Sequence, residues 1–316
     1  MSKRPVLPDI PEPPDPQRRR KPLPWQTPKP TSEDPEGLTN LDAILNGRSY
    51  VPAIQDVEFL DSAGARGIRL QLDYAKPERT LRDYGIQNTI VVFGSTRILE
   101  PAAAREKVEV LRESCLKEPD NAELKRELSV AMRVESKSHY YDVTREFARL
   151  VTNAGGGPSD SRLVIMTGGG PGMMEAANRG AHDVGGKSIG LNITLPHEQF
   201  PNPYISPDLC FQFHYFALRK LHFLLRAKAL VSFPGGFGTL DEVFETLTLI
   251  QTRKIKPVPV VLVGESYWGK VFDIDFLVDE GVIDPEDRDL FWFAETAEEI
   301  WNGLNRWYEK NGESLL

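Results

Sequence analysis

Residues 233–245, FPGGFGTLDEVFE, place three glycines, a threonine and three acids in one short run. Adjacent glycines let backbone N–H groups approach an anion closely, and a helix that follows adds the partial positive charge of its N-terminus. Gly235, Gly236 and Gly238 are therefore expected to shape a phosphate-binding turn, with Thr239 either capping the helix or offering its hydroxyl to a phosphate oxygen. Glu242 comes three residues after Thr239, which is the spacing of a capping box, so a structural role is open to it. The other role is chemical. One turn into the helix, a carboxylate points back toward the N-terminal end, where it faces the sugar of a nucleotide whose phosphate rests on the turn. Asp241 lies about 100° away around the same helix, so the two acids do not form an acid/base dyad.

A second glycine run, TGGGPG at 167–172, sits after an apolar β-branched segment and before a helical one. Gly168, Gly169, Gly170 and Gly172 fit a second phosphate loop, or a tight turn with no ligand. The dinucleotide fingerprint G-x-G-x-x-G is not met, because its last position falls on Met173 or Glu175, and the GK[ST] of a triphosphate P-loop is absent. Met173 and Met174 open the next helix; core packing is the usual use of such residues, and contact with a nucleobase is the alternative, shared by His214. Arg219, in FALRKLHFLLRAKA, carries a permanently charged fork suited to holding a phosphate or ribose oxygen and to positioning Glu242, or else is a surface arginine of an amphipathic helix. Its neighbour Lys220 is expected to be a solvated or interfacial charge. Pro196 and Glu198 follow a strand end and are placed to close over a ligand.

The elements that must position these residues alternate. Strand-like runs at 88–93, 163–167, 187–193, 229–233 and 257–264 are separated by helical patterns, including two or three helices between 101 and 150. Such alternation predicts an α/β fold, a parallel sheet with helices on both faces. In sheets of this kind ligands sit beyond the carboxyl ends of the strands, where FGSTR, TGGGPG and FPGGFGT all fall, so three loops are expected to converge on one crevice. LDAILNG, 41–47, reads as a short helix ended by Gly47. Eleven of the 25 prolines lie within the first 37 residues, which marks 1–37 as a Pro-rich disordered or extended arm and leaves 38–316 as a single domain with its core at about 85–310.

The whole chain has 316 residues and a net charge of −8, a balance that disfavours nucleic-acid binding apart from the RRRK patch at 18–21. No apolar run suits a membrane span or a leader, so the expected location is the cytoplasm. The two cysteines and five histidines show no metal-ligand spacing, so no metal is expected.

PGGFGTLDE matches the pattern PGGxGTxxE, and together with TGGGPGMME, the FGS turn and the Arg219–Lys220 pair it resembles the LOG family, often labelled lysine decarboxylase-like. The resemblance covers about 85–310. It implies a nucleoside 5′-monophosphate phosphoribohydrolase that cleaves AMP-like or cytokinin riboside monophosphates to free base and ribose 5-phosphate, acting as a homodimer or a dimer-based higher oligomer. It also implies a doubly wound Rossmann-like fold and a site needing no dissociable cofactor, that Arg219 and Glu242 are the essential pair, that the glycines and Thr239 belong to phosphate-binding loops, and that Gly94 and Ser95 form the first turn. The helical stretch around 104–138 stands outside the compact family core as an insertion. A carboxylate beside the anomeric carbon suits that chemistry, because cleavage passes through an oxocarbenium-like ribosyl state. The alternative is a nucleotide or molybdopterin-type cofactor binding protein of the same fold that does not turn its ligand over. Decarboxylation would need a lysine set for pyridoxal phosphate, and no stretch presents one.

Overall fold

The structure, a computed structural model, describes residues 12–19, 21–23, 26–30, 32–196 and 200–316. Part of the expected arm, including Arg20 of the basic patch, and the expected closing residue Glu198 lie outside the described residues. The chain divides into two units, Met1–Arg66 and Gly67–Leu316. The smaller holds α1 (Pro35–Leu45) and α2 (Val57–Asp61). Each is started by an aspartate: Asp34 accepts from the Gly37 N–H at 2.8 Å and Asp56 from the Phe59 N–H at 2.9 Å. The LDAILNG helix is thus α1, closed at Asn46.

The larger unit runs from α3 (Arg66–Asp83) into β1 (Asn88–Phe93), then through α4 (Pro101–Lys117), α5 (Ala122–Glu135) and α6 (His139–Asn153) to β2 (Leu163–Thr167). It continues with α7 (Met173–Asp183), β3 (Ser188–Ile193), β4 (Cys210–Phe213), α8 (Phe216–Leu225), β5 (Ala227–Ser232) and α9 (Phe237–Gln251). The last elements are β6 (Val260–Val263), α10 (Glu265–Val271), α11 (Ile274–Asp279), β7 (Phe291–Ala294) and α12 (Ala297–Lys310). All seven strands are parallel, in the order β4-β3-β2-β1-β5-β6-β7. The chain winds outward from β1 to one edge and then returns to lay β5 against its other side, so the winding reverses between β1 and β5.

Alternating side chains of each strand feed two cores, as the two-residue period requires. Ile90, Val92, Ile165 and Val231 meet Phe147, Ala177 and Ile300 from α6, α7 and α12 on one face. Val91, Met166 and Leu230 meet Leu81, Phe223, Val243 and Trp268 from α3, α8, α9 and α10 on the other. Burial on both faces explains why NTIVVF and LVIMT read as unbroken apolar runs. The expected doubly wound sheet is therefore present, with two four-residue edge strands, β4 and β7, beyond the five read from the sequence. The stretch FALRKLHFLLRAKA is not all helix: α8 ends at Leu225 and Ala227 already belongs to β5.

α3 anchors the helix that matters most for the site. Its Glu78 takes both guanidinium nitrogens of Arg226 at 2.7 Å, and its Asp73 accepts the N–H groups of His214 and Tyr215 at 2.9 Å, capping α8 from outside. No helix among the described residues is long and apolar enough to cross a membrane. Because Phe147 is fully buried between α6 and the sheet, Phe147→Ala is expected to cost about 3–5 kcal/mol in denaturant unfolding, while Leu116→Ala, on the exposed side of α4, stays within about 0.5 kcal/mol.

Candidate active site

The carboxyl ends of β1, β2 and β5 deliver three loops that are tied together through their main chains. The Ser95 N–H donates to the Pro234 carbonyl at 2.9 Å, the Phe233 N–H to the Phe93 carbonyl at 2.9 Å, and the Met173 N–H to the Ser95 carbonyl at 3.2 Å. Two glycines make this approach possible. A Cβ on Gly94 would overlap the Met173 side chain, and one on Gly172, whose φ is +71°, would strike the Ser95 carbonyl.

Beneath these loops lies a cavity of about 430 Å³, lined by Gly94, Ser95, Thr96 and Arg97 from the first loop, Met174 from α7, Arg219 from α8, and Gly236, Phe237, Gly238, Thr239 and Glu242 from α9. The expected convergence on one crevice is what the structure shows, but the two glycine runs play different parts. α9 starts from Gly236 with no side chain capping it, and the N–H groups of Phe237 and Gly238 have no acceptor among the described residues. This helix N-terminus therefore offers free donors to an anion inside the cavity. Thr239 lies within the first turn and is not the cap, so the capping-box role open to Glu242 in the sequence does not apply. Gly235 is needed for a different reason: a Cβ there would overlap the Thr239 side chain, and its carbonyl accepts the Tyr267 hydroxyl at 2.5 Å.

In the 167–172 run the glycines face protein. Gly168 packs against the Arg219 guanidinium, where a Cβ would come within 2.5 Å of a terminal nitrogen. Gly169 has a φ of +75° and donates its N–H to the Thr167 hydroxyl at 2.9 Å. The Gly170 carbonyl accepts from the buried Asn202 amide at 3.0 Å, the same amide donates to Asn178 Oδ1 at 2.9 Å, and the Thr167 hydroxyl reaches that oxygen at 2.8 Å. This buried polar chain fixes the loop, and through it the floor on which Arg219 rests. Sequence reading missed it because Asn202 is 32 residues from the loop it holds.

Arg219 leaves α8 with its Nε donating to the Leu191 carbonyl at 2.6 Å and its guanidinium over the Phe223 ring at 5.0 Å. Burial pulls it below its ordinary value, against the opposing pull of the Glu242 charge. Glu242 is only 4% exposed. Burial pushes its carboxyl up to about 7, resisted by the charges of Arg219 and Lys220. The two residues share the cavity without forming an ion pair, so Arg219 acts on Glu242 through its field and not by direct contact. Lys220 points elsewhere, bridging Asp241 and Glu245 at 3.0 Å each, which joins α8 to α9.

Three other expected contacts divide. Met174 lines the cavity; Met173 does not, being wholly buried in the core beneath α7. His214 is exposed and stands outside the lining, with its ring against Tyr215. Thr96, Arg97 and Phe237 were not singled out from the sequence, though each adjoins a residue that was. Among the described residues no cluster of His, Cys, Asp and Glu is placed to hold a metal ion.

Comparison with known proteins bears on this geometry. Residues 174–304 match the family model described as "Possible lysine decarboxylase". A rice protein (Oryza sativa subsp. japonica) named "Probable cytokinin riboside 5'-monophosphate phosphoribohydrolase" is 31% identical over 140 residues, 43% of this chain and 56% of its own length. An Arabidopsis thaliana cytokinin riboside 5'-monophosphate phosphoribohydrolase is 29% identical over 147 residues, covering 46% and 67%. The chain thus spans little more than half the length of the first of these relatives. A Moco carrier protein structure from Chlamydomonas reinhardtii aligns with a TM-score of 0.40 at 18% identity, over 71% of this chain and 99% of that one. The LOG-type resemblance read from the motifs is shown by the family match and the named relatives, and the matched segment contains Arg219 and Glu242.

The buried carboxyl has a consequence for stability. A group raised from 4.5 to about 7 favours the fold fully below its unfolded value and loses that contribution as pH climbs through 7, when an anion must be held in the cavity. Glu242→Gln is therefore expected to raise stability by about 1–3 kcal/mol at pH 8 and to change it little at pH 5, as read by denaturant midpoints at the two pH values.

Proposed function

We propose, taking the LOG-type family match over residues 174–304 as the premise, that this chain is a nucleoside 5′-monophosphate phosphoribohydrolase. The observation that carries the reading is a nearly buried carboxyl, Glu242, in the same cavity as a helix N-terminus with unspent N–H groups. A phosphate binder needs only the second of these. A glycosidic hydrolase needs both, because the phosphate must hold the ribose while a carboxylate faces the carbon that becomes cationic.

In this reading the 5′-phosphate rests on the N–H groups of Phe237 and Gly238 and on the Thr239 hydroxyl, with the fixed charge of Arg219 close by. Glu242, one turn further into α9, faces the ribose. As the C1′–N bond breaks, its electron pair leaves with the base, and the ribosyl carbon gains positive charge that the Glu242 carboxylate stabilises. A water oxygen bonds to C1′, and Glu242, with its pKa near 7, accepts the proton that water loses; that proton then passes to the departing base nitrogen, which leaves the base neutral and restores the carboxylate. The products are free base and ribose 5-phosphate. The cleft is large enough for a nucleoside monophosphate, and AMP-like and cytokinin-type bases both fit the reading. The names of the rice and Arabidopsis relatives support the cytokinin class.

The test is incubation with a panel of purine and pyrimidine 5′-monophosphates and isopentenyladenosine monophosphate, with release of base and ribose 5-phosphate measured. Release from at least one nucleotide is expected, with log kcat/KM rising as pH rises toward about 7 and levelling above it, and with Glu242→Gln lowering kcat about 10²- to 10⁴-fold and removing the rise. Binding without release from any nucleotide would instead favour the non-catalytic carrier.

A further inference from the structure

The turn that opens α9 contains one peptide, Gly235–Gly236, that its own residues do little to hold. Gly235 must be glycine because a Cβ there would overlap the Thr239 side chain, and a Cβ on Gly236 would meet nothing within 4 Å. A peptide with glycine on both sides has little steric resistance to turning over, which exchanges the direction of its carbonyl for that of its N–H. No peptide bond among the described residues is cis, so the Gly235 carbonyl and the Gly236 N–H point in opposite directions. The Gly236 carbonyl is already committed, accepting the Thr239 and Leu240 N–H groups at 3.0 Å each. The Gly236 N–H has no acceptor among the described residues, and Gly236 lines the cavity.

One side chain fixes this peptide. The hydroxyl of Tyr267, on α10, donates to the Gly235 carbonyl at 2.5 Å, and Tyr267 is not among the residues that line the cavity. Burial raises that hydroxyl above the ordinary tyrosine value, so it stays protonated and donates. α10 is itself anchored. The Gly264 N–H donates to the Ala294 carbonyl at 3.0 Å, the wholly buried Trp268 donates its indole N–H to the Val263 carbonyl at 3.0 Å, and the Glu295 carboxylate accepts the Glu265 N–H at 2.9 Å. From this geometry we infer that Tyr267 is a positioning residue for the phosphate: by holding the Gly235 carbonyl away from the cavity it aims the Gly236 N–H into it, as a third main-chain donor beside those of Phe237 and Gly238. This rests on the reading of the α9 N-terminus as the seat of a 5′-phosphate. Turned over, the same peptide presents a carbonyl oxygen to the phosphate oxygens, so loss of the hydroxyl removes a donor and adds a repulsion.

Tyr267→Phe tests this, since it removes the hydroxyl and keeps the ring. Tyr308→Phe is the control, because the Tyr308 hydroxyl also donates to a main-chain carbonyl, that of Lys228 at 2.8 Å, near the other end of β5 and outside the cavity lining. Ribose 5-phosphate and inorganic phosphate are titrated into the full chain labelled with nitrogen-15 glycine, the Gly236 amide signal being assigned by its absence in Gly236→Ala. In the unsubstituted chain and in Tyr308→Phe, both probes are expected to move the Gly236 amide proton downfield with the same Kd. In Tyr267→Phe that movement is lost and Kd for both probes rises about tenfold. A Gly236 signal that neither probe moves, a movement and Kd unchanged in Tyr267→Phe, or an equal loss in Tyr308→Phe overturns the assignment, the last because it would trace the effect to lost stability alone. Base release from AMP is scored separately, so its absence beside a Tyr267-dependent phosphate response sinks the hydrolase reading and leaves the role of Tyr267 standing.

Discussion

The three main-chain hydrogen bonds that tie the β1, β2 and β5 loops together are the constraint on which the site depends. They form at the place where the sheet reverses its winding, because only there do neighbouring strands send their following chain to opposite faces and leave a gap above their ends. Closing that gap to hydrogen-bond distance requires Gly94 and Gly172, since any side chain would hold the loops apart. Each such bond adds about 1 kcal/mol at most to net stability. Their larger effect is positional. They set the start of α9 against the first loop, so the free N–H groups of Phe237 and Gly238 and the carboxyl of Glu242 look into one space.

That space opposes what folding favours. The Glu242 carboxyl is buried with no hydrogen-bond partner and no ion pair among the described residues, and its nearest compensating charges, Arg219 and Lys220, are committed to Leu191 and to Asp241 and Glu245. A residue serving only the fold would be replaced with gain by an uncharged one. Its retention in a cavity with an anion-binding helix end is the arrangement expected of a group whose charge is used during a reaction. Arg219 is half-buried and held by a carbonyl, a ring face and the bare backbone of Gly168, so its charge is fixed in place before any ligand arrives.

The interior of the fold was legible in the sequence, and its edges were not. NTIVVF, LVIMT and ALVSF declare themselves because strands buried on both faces must be continuously apolar. CFQF and FWFA are four residues long at the sheet edges, too short to show a period. α12 went unread although Thr296 and Glu299 form a capping box at its start, a signal present in the sequence. α3 carries Pro77 within it and a polar average, which hides a helix whose Asp73 and Glu78 hold α8. Gly94, Ser95, Gly236, Gly238, Thr239, Arg219 and Glu242 line one cavity, and each could be singled out in the sequence because it lies in a short motif at a strand end or on the helix beside it. What sequence could not give was the direction of single side chains. Met174 and not Met173 faces the cavity, His214 faces away, and Asn202 reaches back to Gly170 across a long loop.

The ionisation of Glu242 tests the central claim most directly. Carbon-13 NMR of glutamate-labelled protein, with the Glu242 signal assigned by its absence in Glu242→Gln, reads the carboxyl across pH 4 to 9. A midpoint near 7 is the result predicted for a carboxyl held out of water beside the α9 N-terminus. A midpoint at the ordinary value near 4.5 would mean that the group is hydrated or paired, and that the cavity is not the tuned site described above.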